Sequence, residues 1–384
     1  MTEQEIYQRF LAKSDDVDSA TVFLDKHFRE SKDFHRVFEV LKMHARWELG
    51  LPLLPPRGEK LPQTTQAALE EALVGVCREV GELCFAAGKV ADGWAFLQPV
   101  GDEEMARRLL CETVVTPENA ATLIDVGFYQ AVAPTHAYPI LIRELGTCDA
   151  ITAYDSMAMQ FDPQTIPELA SQLLTHFHAE LMSNVVAGVI AAGHSVDDEA
   201  SLGDLLSQHA WLVVEGGHHL DASHLASVVR IARQTDEESD HRMALDLCRY
   251  GQRLPADYQF ESNPPFAELY VDHQKFFEVL IGDDYPRDIA HFEKKIEALR
   301  GDYHEPLAIE VFMDLQIRSG HRDDAVKTMT EQMWRFFENG EVPSTVFEVA
   351  QTREQHRALA EKFRSENDFA GYAMAKLCEN HCTK

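Results

Sequence analysis

Apolar residues recur at three- and four-residue spacing along almost the whole chain, and this constrains the fold more than any other feature. In the stretch 31–49, Phe34, Val37, Phe38, Leu41 and Ala45 lie at i, i+3, i+4, i+7 and i+11. That spacing places them on one face of a helix. Ser31 is positioned to cap its start. Similar periodicity marks 66–87, 103–111, 117–126, 137–145, 149–159 and 305–319, and 166–192 reads as one long helix. The run 211–214 is the single strand-like segment; one run cannot form a sheet, so it reads as a buried extended piece or a helix end. The expected fold class is all-α.

Proline and glycine punctuate the pattern. Pro52, Pro55, Pro56 and Pro62 cannot continue a helix, so 50–64 is a connector between an N-terminal helical cap, 1–49, and the main body. A second proline group, Pro255, Pro264 and Pro265, divides a central helical region, 65–253, from C-terminal helix pairs, 254–384.

Those pairs carry a family resemblance. A helix over 305–319 has Pro306 in its first turn and ends at Gly320, after which Asp323, Asp324, Ala325, Val326 and Met329 open a partner. The string SGHRDDAVKTM resembles the turn of tetratricopeptide repeats, in which a small residue ends one helix and an alanine lets the next pack closely. Related turns stand at Gly88, Gly146, Gly282 and Asn367. The intervals from Gly282 to Gly320 and from Gly320 to Asn367, 38 and 47 residues, suit helical-repeat units. The family's fuller pattern of Trp, Leu-Gly and Tyr does not recur. The resemblance implies stacked antiparallel helix pairs in an α-solenoid; a non-repetitive helical bundle is the alternative.

Charge narrows the function. With 64 Asp and Glu against 35 Lys and Arg, the formal net charge is −29. Such a field repels phosphate backbones, and no basic run opposes it, so no nucleic-acid partner is expected. No stretch approaches the roughly 20 apolar residues that span a bilayer, and the start, MTEQEIYQRF, is polar. Seven scattered cysteines suggest reduced thiols rather than a disulfide scaffold. A cytoplasmic protein of bacterial type, without membrane contact, is the expectation.

The middle of the chain is rich in histidine. His176 and Glu180, four apart in HFHAE, share a helix face and form a usable two-ligand pair, with His178 pointing away. In GGHHLDASH, Gly216 and Gly217 permit an irregular turn, and His219, Asp221 and His224 could converge at the start of the next helix. Asp221 equally suits a helix N-cap, and His224 would stay neutral near the helix N-terminus. His273, in AELYVDHQKFFEVL, is either a half-buried aromatic-core residue or a catalytic base. His136 in PTHAYP and the group Cys378, His381 and Cys382 are lesser candidates.

Two functions follow, beside the alternative of a structural module without a pocket. The first is a helical-repeat interaction or scaffolding protein whose acidic surface takes a protein or peptide with a basic segment. The second is a metal-dependent enzyme acting on a small polar substrate by hydrolysis or metal-assisted rearrangement. In it His176, Glu180, His219 and His224 hold zinc, iron or manganese, Asp221 is a ligand or supports one, and His273 is a ligand or general base. P-loop, GxGxxG, HExxH and GxSxG signatures do not occur, so phosphoryl transfer and nicotinamide chemistry have no support.

Overall fold

A computed structural model describes residues 3–197, 200–213, 220–282, 284–337 and 344–382. Among them are eighteen α-helices and no β-strand; the only bridge of strand type is the isolated pair Glu261 and Glu268. None of these helices is long and apolar enough to cross a membrane. The chain forms two compact units, Met1–Thr165 and Ile166–Lys384.

The first unit contains α1 (Glu3–Leu11), α2 (Val17–Glu30), α3 (Phe34–Glu48), α4 (Gln63–Ala86), α5 (Val90–Leu97), α6 (Glu103–Glu112), α7 (Ala120–Ile124) and α8 (Pro134–Met157). Each of α1 to α5 packs on the next, α6 on α4 and α5, and α7 on α5 and α8. The periodic residues Phe34 and Val37 of α3 meet Val80 and Cys84 of α4 in a buried cluster. Burying a side chain of this size contributes about 1.5–3 kcal/mol. The α3 N-cap is Asp33, whose carboxylate accepts from Arg36 N–H; Ser31, expected in that role, instead ends α2. An aspartate one position before the first helical residue outcompetes a serine two further back, because only the cap position reaches the free N–H groups. The helices expected over 137–145 and 149–159 are the two arms of α8, which meet at a kink where Gly146 leaves helical geometry (φ 84°, ψ 176°).

The proline segment after α3 holds no helix before Gln63. It is nevertheless tied down. Arg46, 4% exposed, donates from Nε to the carbonyl of Pro52 (2.7 Å) and from a guanidinium NH₂ to Glu59 (2.6 Å).

The second unit contains α9 (Ile166–Ala191), α10 (Leu202–Gln208), α11 (Ala222–Ile231), α12 (Glu238–Gly251), α13 (Leu269–Ile281), α14 (Tyr285–Ala298), α15 (Glu305–Arg318), α16 (Arg322–Glu331), α17 (Arg353–Ser365) and α18 (Phe369–His381). From α11 to α18 every helix packs on its successor, and α13 also touches α11 and α15. The run 211–214 is a single 3₁₀ turn over Ala210–Val213, with Val214 outside the described residues.

One corner recurs. Between α2 and α3, α4 and α5, α15 and α16, and α17 and α18, the turn residue is left-handed: Lys32, Gly88, Gly320 and Asn367. Its N–H donates three residues back, and the next N–H donates five back: Gly88 to Phe85 and Lys89 to Cys84, for example, both at 2.9 Å. These two bonds satisfy carbonyls that the ended helix leaves free, and the new helix begins at once. Close packing follows each corner. A Cβ on Gly93 would lie 2.5 Å from the Phe85 ring, one on Gly371 would overlap Phe363, and Ala325 is fully buried.

Candidate functional site

Helix α9 places the HFHAE segment. Leu173, Leu174, Phe177 and Leu181 are buried and fix its rotation. His176 and Glu180 therefore face solvent, 41% and 44% exposed, with Nε2 and Oε2 3.9 Å apart. His178 does not simply point away. It turns toward α12, where its Nε2 lies 3.7 Å from Asp246 Oδ2, and it is 18% exposed. Asp246 had no signal in the sequence that tied it to His178, because the pairing arises from the packing of α9 on α12.

Asp221 is the N-cap of α11, accepting from Ser223 N–H (2.8 Å) and the Ser223 hydroxyl (2.5 Å). The Ser223 bonds hold its carboxyl below the usual range. His224 stands half-buried in the first turn that follows. His219, with His218 and the two glycines before it, lies outside the described residues.

His273 is 1% exposed. Its Nδ1 donates to the Leu269 carbonyl (2.6 Å), and its ring stacks on Phe266 at 4.3 Å. Burial first, and the nearby Arg233 second, push its pKa down to about 3, so the ring is neutral. Its neighbour Asp272, fully buried, accepts from His291 Nε2 (2.7 Å) and Lys295 Nζ (2.9 Å), which brace α13 against α14, and from Glu268 N–H (2.8 Å) at the start of its own helix. His136 is half-buried at the start of α8. Cys382 donates to the Gln351 carbonyl at 2.9 Å. Among the described residues no three His, Cys, Asp or Glu side chains form a group that could hold a metal ion. His176 and Glu180 thus stand as a pair, apart from Asp221, His224 and His273.

A groove between α14 and α16, floored by α15, has a different character. Ile289 and Phe312 are buried in its base, and Glu293, Asp324 and Glu331 line its walls with Lys327 the one cationic side chain among its lining residues. Those three carboxylates are exposed and take part in no ion pair among the described residues. At one end the Tyr285 ring stacks on His321 with centroids 3.5 Å apart and planes 4° from parallel. The groove combines an apolar floor with negative walls, the surface that a segment bearing apolar and basic side chains complements. Sequence reasoning missed it because its residues come from three successive helices.

The chain matches no protein-family model, no curated protein and no solved structure.

Proposed function

We propose that this is a helical-repeat interaction protein whose α14–α16 groove receives a basic, partly apolar segment of another protein. The observation that carries the reading is that groove, with three carboxylates over Ile289 and Phe312. The serial packing of helices and the repeated left-handed corner support a stacked arrangement of helix pairs, which characteristically offers elongated recognition surfaces. The negative net charge favours a cationic partner and speeds its approach.

The test uses a fluorescent peptide alternating lysine and leucine. Anisotropy should rise on titration with the full chain, more at low salt than at high. Glu293→Lys with Glu331→Lys should weaken binding several-fold, since reversing charges at a groove wall replaces attraction with repulsion. Equal binding by wild type and the charge-reversed variant would remove the groove from the reading.

A metal-dependent enzyme is the second reading, and the His176–Glu180 pair is the observation in its favour. Metal analysis of the purified chain beside a His176→Ala, Glu180→Ala variant decides it. Equal metal content in the two would sink it.

A further inference from the structure

Beyond the groove, a pair of imidazoles stands at the far end of α9. The α9 C-terminus closes through Gly193, left-handed at φ 85°, with Gly193 N–H donating to Ile190 and His194 N–H to Val189. The backbone of His194 is thereby fixed. His209 ends α10, its N–H donating to Leu205 (2.9 Å) while its own carbonyl accepts from Leu212 N–H (3.0 Å). Two helix ends thus hold two histidines in place, and their ring centroids lie 4.9 Å apart. Trp211, 43% exposed, has its ring 6.1 Å from His194 and 5.9 Å from His209.

The separation has chemical meaning. A metal–nitrogen bond of about 2.1 Å puts an imidazole centroid about 3.2 Å from the metal. Two such rings on one ion are then about 4.5 Å apart at a right angle and about 5.2 Å apart at a tetrahedral angle. The observed spacing falls between these. The two rings are therefore spaced as cis ligands of one ion would be. Both side chains also project from helix C-termini, where the partial negative charge of free carbonyls favours a cation. The surrounding chain is strongly acidic, which raises the local concentration of any divalent cation.

We infer that His194 and His209 together bind a first-row divalent transition metal, of the nickel, copper or zinc class that imidazole suits, with water completing its coordination. The site is distinct from His176, Glu180, His219 and His224, and Trp211 is its built-in reporter.

The experiment uses the full chain stripped with chelator and titrated with nickel(II). Paramagnetic nickel should quench part of the tryptophan emission saturably, and excess zinc(II) should restore it. His194→Ala and His209→Ala should each abolish the saturable quench while helix content by circular dichroism stays unchanged. Trp211→Phe should lose the quench yet keep the binding heat in calorimetry, whereas His176→Ala should keep both. Quenching of the His194→Ala, His209→Ala double variant as strong as in wild type would overturn the inference. So would a wild-type chain that neither quenches nor gives a binding heat with nickel.

Discussion

Arg318 of α15 donates to the main-chain carbonyl of Arg233, 2.7 Å away and 85 residues earlier in the chain. A second guanidinium NH₂ bonds the Thr235 carbonyl, which also accepts from His241 Nε2 at 3.0 Å. Arg318 therefore ties down the turn that follows α11, supplying donors to two of its main-chain carbonyls.

Arg318→Met removes those donors together with the guanidinium that sits 5.5 Å above the Phe276 ring. It should destabilise the chain by about 2–3 kcal/mol, the scale of charge-assisted bonds to buried acceptors. Urea unfolding of the purified variant measures this, and Arg318→Lys should recover only part. A variant as stable as wild type would show that the carbonyls find other donors.

Three glycines should rank by what a methyl group meets. Gly75 lies within α4 with no atom within 4 Å of its would-be Cβ, so Gly75→Ala should stabilise by about 0.5–1 kcal/mol. Gly320 has equal space but φ 85°, so Gly320→Ala should cost about 1–2 kcal/mol in backbone strain. Gly93 meets the Phe85 ring, and Gly93→Ala should cost about 1–3 kcal/mol through displaced packing. Thermal midpoints of the three variants give the order, and a destabilised Gly75→Ala beside a neutral Gly93→Ala would contradict the corner packing.

His273 makes stability depend on pH. Folded, it binds a proton only near 3; unfolded, a histidine does so near about 6.5. Between these values the unfolded state carries more protons, so stability falls as pH drops from about 6.5 toward 3. Arg233, Arg230 and Asp272 are the charged neighbours acting on the ring. His241, also pushed down by burial, adds to the same slope. His273→Phe, which retains an aromatic ring against Phe266, should flatten the fall in urea midpoint between pH 7 and 4 without abolishing it. Identical slopes would mean that the ring takes up its proton in the folded state.

The helices were legible where periodicity and breakers agreed. Gly88, Gly282, Gly320 and Asn367 all take positive φ, as their place at helix ends suggested. Lys32 escaped notice because lysine seldom adopts that conformation, and nothing local marks it. The proline segment announced a break in helix, but not Arg46, whose hold on Pro52 and Glu59 arises only after the chain turns back. At the site level, i, i+4 geometry placed His176 and Glu180 correctly on one face. It could not show that His178 meets Asp246, or that His194 comes to His209. Those encounters depend on how separate helices pack.

The clasp at Arg318 also bears on the order in which the second unit assembles. Each left-handed corner closes within a few residues, so its helix pair can form early and with little loss of chain freedom. The Arg318 bonds to Arg233 and Thr235 join residues 85 and 83 positions apart, across α12 to α14, so they close a far longer loop than any corner does. Arg318→Met should therefore speed unfolding more than it slows refolding, which stopped-flow fluorescence in urea measures.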